Sequence, residues 1–134
     1  MPFLLDSSIC SIPLKLGKGS PLFSRLIQYG GQLQVSRLTC AELYAYAFRN
    51  NAKVVDRLDD FLNGVYICDF DESSARKYGE VHARLAERGL TMESVDLMIA
   101  ATAIVHDLLL VTHDRDFDVI AAAIPELQLI DWVN

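Results

Sequence analysis

Several acidic residues border segments that are apolar enough to be buried. Asp6 follows the short run of residues 3–5, and a longer, largely apolar block of residues 97–111 lies between Asp96 and Asp114. A buried carboxylate without a partner is costly, so it usually pairs with a cation or takes up a proton. The sequence therefore raises the question of which partner these acids have.

A divalent metal ion would satisfy such a group of acids. No Lys or Arg lies between Arg88 and Arg115, so Asp96 has no cationic partner nearby in the sequence. Mg²⁺ and Mn²⁺ prefer carboxylate oxygens and also bind substrate phosphates directly. Because a bound ion orients a phosphodiester and lowers the pKa of a water molecule, the residue types indicate a metal-dependent phosphodiesterase as a hypothesis.

Each acid also has an ordinary structural interpretation. Asp6 could cap a helix, Asp96 could favour a helix N-terminus through the helix dipole, and Asp114 could be a turn residue. Glu42 could be a solvent-facing helix residue. The metal hypothesis thus requires a fold that brings these acids together.

The pattern of apolar residues predicts alternating strands and helices. A fold of class α/β is expected: a three-layer α/β/α sandwich with a central, mainly parallel five-stranded sheet. Asp6 and Asp114 would both follow strands at the carboxyl edge of this sheet, where such folds place their functional crevice. The predicted strands are 3–5, 33–35, 65–68, 108–111 and 127–130. Seven helices are predicted. The first begins at Ser8 and either breaks near Pro13 or ends by Gly17, the second is capped by Ser20, and the third begins at Thr39. The other four are 54–63, 71–88, one capped by Thr91 or Ser94, and 116–123.

Length and composition are those of one folded domain covering residues 1–134. Half of the residues are hydrophobic (51%), the mean hydropathy is +0.22 and the formal net charge is −6. This charge opposes broad electrostatic binding of nucleic acid, so any such contact needs a local basic rim or a metal.

Three cysteines without CxxC spacing indicate neither a disulfide framework nor a zinc site, and the chain is expected to be cytoplasmic. The candidate basic residues are Lys15, Lys18, Arg25, Arg37, Arg49, Lys53 and Arg115.

Four stretches together resemble a known family over nearly the whole chain. They are LLDSS at 4–8, LTCAELYAYA at 38–47, YGEVHARLAERG at 78–89 and VDLMIAATAIVHDLLLVTHDRDF at 95–117. In this order and spacing they resemble the PIN-domain ribonucleases of the VapC toxin family, which belong to VapBC type II toxin–antitoxin systems. Each stretch taken singly is a weak signal.

The resemblance implies a role for individual residues. It assigns catalysis to Asp6, Glu42, Asp96 and Asp114, and metal binding to the three aspartates. Asp116 is the substitute for Asp114 as a metal ligand, and any contact of Glu42 with the metal would run through a water molecule. Ser7 and Thr112 would be supporting hydroxyls that orient the acids. Thr39 would either cap its helix or support the site.

The implied function is that of a toxin that hydrolyses RNA. The resemblance predicts a Mg²⁺- or Mn²⁺-dependent endoribonuclease that uses a metal-activated water and leaves a 5′-phosphate and a 3′-hydroxyl. It also implies a VapB-type antitoxin as partner and a homodimer. The aromatic residues of the helices after the first two strands would belong either to these partner contacts or to the core: Phe23, Tyr29, Tyr44, Tyr46 and Phe48. The alternative is a catalytically silent PIN-fold scaffold that binds RNA or a protein partner, and the complete set of four acids disfavours it.

Some positions depart from the family pattern. Ser8 stands where Asn is frequent, Glu93-Ser94 replaces a Gly-Pro-like entry to the helix, and Asp107 replaces a frequent glycine. Glu93 could extend the acidic cluster, as could Glu80, although Glu80 lies in a charged helix where ion pairing is ordinary. Helix-end or turn roles are expected for His106 and His113.

Overall fold

The computed structural model describes residues 2–16 and 21–133, which form five strands and seven α-helices. A short 3-10 helix, Gly30–Gln32, precedes the second strand. The strands are β1 (Phe3–Leu5), β2 (Leu33–Ser36), β3 (Tyr66–Cys68), β4 (Leu109–Val111) and β5 (Leu129–Ile130). The helices are α1 (Ser7–Leu16), α2 (Pro21–Gln28), α3 (Arg37–Asn50), α4 (Ala52–Asn63), α5 (Glu72–Glu87), α6 (Ser94–Val105) and α7 (Asp116–Ala123).

All five strands are parallel, in the order β3-β2-β1-β4-β5. The central strand β1 pairs with β2 on one side and β4 on the other, so that Leu5 lies opposite both Val35 and Val111. The chain moves outward in one direction through β2 and β3, and in the other through β4 and β5. The boundary between β1 and β4 is therefore a topological switch point, where parallel sheets open a crevice beyond the strand ends.

Helices cover the sheet on both faces, because successive side chains of a strand point to opposite sides. Leu4 packs with residues of α5, α6 and α7, whereas Leu5 packs with residues of α1, α2, α3 and α4. The predicted three-layer α/β/α sandwich is confirmed. Within the described ranges, none of the helices is both long and apolar enough to cross a membrane.

Two predicted helix caps are wrong. Helix α3 begins at Arg37, and its N-cap is Ser36, whose hydroxyl accepts a hydrogen bond from the Leu38 N–H at 3.1 Å. Thr39 therefore lies inside the helix. Helix α6 is capped by Glu93 and not by Thr91 or Ser94. In both cases the strand or loop before the helix delivers a different residue to the cap position than local preference suggests.

Other predicted boundaries agree with the structure to within a few residues. Helix α1 passes through Pro13 and ends at Leu16, which excludes the predicted break at the proline. The predicted cap Ser20 lies outside the described residues. Asp107, between α6 and β4, has a φ of 54° and so occupies the left-handed region that its place in the sequence suggested.

Candidate metal centre

Four elements bring acidic side chains to the carboxyl edge of the sheet. Asp6 directly follows β1, and Asp114 lies in the turn that follows β4. Asp116 is the first residue of α7, and Asp96 lies in the first turn of α6. Because parallel strands all end at one edge, residues far apart in the sequence converge there.

Three of these acids form a compact cluster. Asp96, Asp114 and Asp116 each offer a carboxylate oxygen, and these oxygens all lie within 4.8 Å of one another. Asp96 and Asp114 are half-buried and Asp116 is exposed. A set of carboxylate oxygens open to solvent on one side fits a hard cation such as Mg²⁺ or Mn²⁺, which keeps several of its waters. The structure thus places Asp116 beside Asp114 and does not choose between them.

Asp6 lies behind this cluster and is almost completely buried, with 3% of its surface exposed. Its Oδ1 accepts hydrogen bonds from the Ser8 hydroxyl at 2.6 Å and the Ile9 N–H at 3.2 Å, and its Oδ2 accepts one from the Thr112 hydroxyl at 2.6 Å. Burial raises the pKa of Asp6, the hydrogen bonds partly offset this, and the charge of Asp114 raises the pKa further.

Two hydroxyls tie the turn after β4 to the end of β1. The Thr112 hydroxyl, which donates to Asp6, accepts the Asp114 N–H at 3.0 Å. The Ser8 hydroxyl, which also donates to Asp6, accepts the His113 N–H at 3.0 Å. A displacement of either hydroxyl would thus move both Asp6 and the backbone that carries Asp114.

The Ser8 hydroxyl, which contacts Asp6, was not among the supporting residues predicted from the sequence. The Ser7 side chain lies near Glu42 instead, where its hydrogen-bonding effect lowers the pKa of that carboxyl. The available signal was the i,i+2 spacing of Asp6 and Ser8, because Asp and Ser side chains commonly bond to groups two residues away. Thr112, also named from the sequence, does contact Asp6.

Glu42 lies on α3 at the exposed rim of the centre. Its pKa is raised by desolvation and then by the charges of Glu93 and Asp6, while the hydrogen bond from Ser7 lowers it. Glu42 is therefore within electrostatic reach of the buried acid, although it is not a member of the three-acid cluster.

Asp96 is the most perturbed of the acids. Burial is the main cause that raises its pKa, to about 7, and the charges of Glu93, Asp114, Glu42 and Asp6 add to it. The centre thus disfavours a full set of ionised carboxylates at neutral pH. A proton relieves this repulsion, and a divalent cation would relieve it without neutralising the ligands.

Other candidates from the sequence lie elsewhere or have ordinary partners. Glu80 on α5 forms ion pairs with Lys77 at 3.0 Å and Arg84 at 3.9 Å. His106 pairs with Asp71 at 2.9 Å, beyond the C-terminal end of α6 and so away from the acidic cluster. The Thr39 hydroxyl is buried and has no hydrogen-bond partner within the described part of the chain.

The basic side chains near the carboxyl edge are mostly engaged with acids. Arg37 pairs with Asp69 at 3.1 Å, and Arg115 lies 3.5 Å from Asp118. His113 pairs with Asp131 through Nδ1 at 2.9 Å. All three side chains are substantially exposed, so they remain accessible to a ligand that approaches this edge.

Comparisons with known proteins give a consistent result. A family model described as PIN domain matches residues 3–123. The chain is 29% identical to "Ribonuclease VapC2" of Haemophilus influenzae over 136 residues, which cover 99% of each chain. It is 27% identical to "tRNA(fMet)-specific endonuclease VapC" of Shigella flexneri over 135 residues, 98% of each. Among solved structures it resembles VapBC2 from Rickettsia felis bound to a DNA fragment from their promoter, with a TM-score of 0.87 and 28% identity over 98% of this chain and 99% of that one.

Proposed function

Since the chain belongs to the PIN domain family, we propose that it is the toxin component of a VapBC type II toxin–antitoxin system and cleaves RNA with a divalent metal ion. The observation that carries this proposal is the cluster of Asp96, Asp114 and Asp116, with Asp6 fixed behind it. The similarity of the chain in sequence to proteins named as VapC nucleases, over almost their full length, supports the same activity.

Asp6, Asp96 and Asp114 would hold the Mg²⁺ or Mn²⁺ ion, with Asp116 as the substitute for Asp114. When bound, the ion supplies a Lewis acid that lowers the pKa of a water and offsets charge on the phosphodiester. Without a bound ion, the carboxylates would repel an RNA phosphate. The residues that bind the metal therefore also make RNA cleavage depend on that metal.

The remaining residues of the centre position these acids. The three hydrogen bonds to Asp6 fix its carboxylate against the end of β4. Ser7 restrains Glu42 at the rim, where that carboxylate can accept a proton from a water or hold a water in place. None of these hydrogen bonds needs to form during the reaction, so the site is preorganised for substrate.

The proposed partners follow from the relatives. One relative is named for cleavage of tRNA(fMet), so structured RNA such as tRNA is the first substrate class to test. The resemblance to a VapBC structure supports a VapB-type antitoxin as partner. A homodimer is also proposed, because the large side chains of Ile27 and Phe48 are 67% and 72% exposed. We place the protein in the cytoplasm, where its RNA substrate is present.

A cleavage assay tests the proposed function. The purified protein is incubated with total tRNA and with Mg²⁺ or Mn²⁺, in parallel with EDTA and with the Asp96→Asn variant. Cleavage is expected only for the parent with metal, with 5′-phosphate ends that ligate directly to an adaptor. Activity that persists in EDTA or in the variant would refute the metal mechanism. A lack of cleavage with tRNA, ribosomal RNA and messenger RNA would favour the silent scaffold.

A growth assay tests the toxin role separately. Expression of the chain alone is expected to slow growth, and co-expression with a short antitoxin gene next to it should restore growth. The Asp96→Asn variant at the same soluble level is the control. Normal growth with confirmed soluble parent protein would refute the toxin assignment.

A further inference from the structure

Glu93 connects the start of α6 to the acidic centre. It is the N-cap residue of this helix, and its Oε2 accepts a hydrogen bond from the Asp96 N–H at 3.0 Å. The side chain of the same Asp96 belongs to the three-acid cluster. Glu93 thus holds the backbone of a residue whose carboxylate faces the proposed metal.

A glutamate is an uncommon choice at this position. Ser, Thr, Asp and Asn are the preferred N-caps, and Ser94 is the next residue in the chain. A neutral cap would satisfy the same N–H without adding charge. The longer acidic side chain instead brings a negative charge to a site that already contains several.

The charge of Glu93 acts on two acids of the centre. Among the neighbouring charges, it is the largest contributor to the raised pKa of Asp96 and also to that of Glu42. In the metal-free protein this repulsion opposes the favourable interaction of an anion with the helix N-terminus. A divalent cation in the cluster reverses the balance, because it attracts Glu93 and its neighbours alike.

We propose that Glu93 is a positioning residue of the metal centre, whose carboxylate both fixes Asp96 at the start of α6 and strengthens divalent cation binding by its charge. This inference rests on the proposed metal centre and goes beyond it, since Glu93 stands where the family resemblance has no acid. Because the two effects are separable, substitutions can remove the charge and keep the cap.

Three variants separate these effects. Glu93→Gln keeps a carbonyl oxygen that can accept the Asp96 N–H but removes the charge. Glu93→Asp keeps both, and Glu93→Ala removes both. The matched control is Asp71→Asn, which makes the same carboxylate-to-amide change at the N-cap of α5, where Asp71 accepts the Ser74 N–H at 2.8 Å.

Calorimetric titration with Mn²⁺ gives the decisive measurement. We expect Glu93→Gln to weaken Mn²⁺ binding about fivefold, as the loss of one charge near a divalent ion in a solvated site predicts. Glu93→Asp should bind like the parent, and so should Asp71→Asn. The melting temperature of metal-free Glu93→Gln should equal or exceed that of the parent, whereas that of Glu93→Ala should fall.

The outcomes distinguish this inference from the proposed function. If Glu93→Gln binds Mn²⁺ as tightly as the parent, Glu93 is only a structural cap and the inference is overturned. The inference is also overturned if the parent binds no Mn²⁺. If the parent binds Mn²⁺ but cleaves no RNA, the nuclease assignment fails, while the comparison of affinities still decides the role of Glu93.

Discussion

At the scale of single residues, the buried acid and the half-buried acid differ in how their charge is stabilised. Asp6 accepts three hydrogen bonds, which keep its carboxylate in one orientation despite almost complete burial. For Asp96 the neighbouring charges that act most strongly on the carboxyl, those of other acids of the centre and of Glu93, are negative, and its pKa rises to about 7. Asp6 is therefore suited to a fixed structural charge, and Asp96 to exchanging a proton for a cation.

The raised pKa of Asp96 predicts a pH-dependent stability in the metal-free protein. The folded pKa is about 7, above the ordinary value of 3.8. Between these values the folded protein keeps a proton that the unfolded chain releases, so this stabilisation is complete below the ordinary value and is lost as the pH rises through 7. We expect the melting temperature in EDTA to fall from about pH 5 to about pH 8.

The Asp96→Asn variant is the control for this pH effect. It should show a smaller fall in melting temperature, with the remainder due to Asp6 and Glu42, whose pKa values are also raised. Saturating Mn²⁺ should reduce the fall in the melting temperature of the parent as the pH rises. An equal fall in the parent and in Asp96→Asn would contradict the assignment of the proton to Asp96.

The two aspartates of the turn after β4 should contribute unequally. Asp114 is half-buried, and its Oδ1 accepts the N–H of Asp116 at 2.9 Å, so it both joins the cluster and restrains the first residue of α7. Asp116 is exposed. We expect Asp114→Asn to lower the cleavage rate by about 100-fold and Asp116→Asn by about tenfold. Single-turnover cleavage at saturating Mn²⁺ measures both, and a larger loss for Asp116→Asn would reverse the assignment.

At the scale of elements, the sequence predicted the five strands and the edge of the sheet at which Asp6 and Asp114 lie. The apolar runs at residues 3–5 and 108–111 predicted β1 and β4, because fully buried parallel strands need such runs. The caps of α3 and α6 were not predictable in the same way. Cap preferences differ by only about 1 kcal/mol, so the backbone path that arrives from β2 or from the loop before α6 decides which residue caps.

The candidate site could be predicted as a set of acids but not as a geometry. The chain order of parallel strands was enough to bring Asp6 and Asp114 to one edge. Which of Asp114 and Asp116 contributes more to the site, and which hydroxyl contacts Asp6, depend on the rotation of one or two residues where β4 and β1 end. A pattern of residue types contains no information on that rotation.

The link between β1 and the turn after β4 predicts a shared effect of one hydroxyl. Thr112→Val removes both the donor to Asp6 and the acceptor for the Asp114 N–H. We expect the free energy of unfolding to fall by about 1 to 3 kcal/mol, because the variant leaves buried polar groups without partners. The cleavage rate should fall at least about tenfold, since supporting contacts of metal ligands contribute that much.

Thr112→Ser restores the hydroxyl and is expected to recover most of both losses. Thr91→Val, at an exposed position, is the control for the same chemical change. Urea unfolding and RNA cleavage provide the two measurements. If Thr112→Val cleaved RNA like the parent, the hydroxyl would have no part in positioning Asp6 or Asp114.

At the scale of the whole molecule, an acidic protein is proposed to act on a polyanion. The net charge of −6 repels RNA from most of the surface. At the carboxyl edge, the exposed Arg37 and Arg115 are partly neutralised by Asp69, Asp118 and Asp131. Substrate binding should therefore depend on a few local contacts and on the metal centre, with little contribution from the protein as a whole.

This distribution of charge predicts a weak salt dependence of RNA binding. If no more than two permanently charged side chains, Arg37 and Arg115, contact phosphates, the slope of log affinity against log salt should be about −1.4 or smaller in magnitude. Arg115→Gln should reduce that magnitude by about 0.7, the value for one contact to a single strand. Fluorescence anisotropy with labelled RNA at constant Mg²⁺, in an Asp96→Asn background that prevents cleavage, gives the slopes.

Arg76→Gln is the matched control for this experiment, because it removes the same charge from an exposed position on α5. It should leave the slope unchanged. A steep slope in the Asp96→Asn background that both arginine variants reduce equally would mean that RNA binds over a broad surface. The carboxyl edge would then be only the place of cleavage, and recognition of the substrate would lie elsewhere on the molecule.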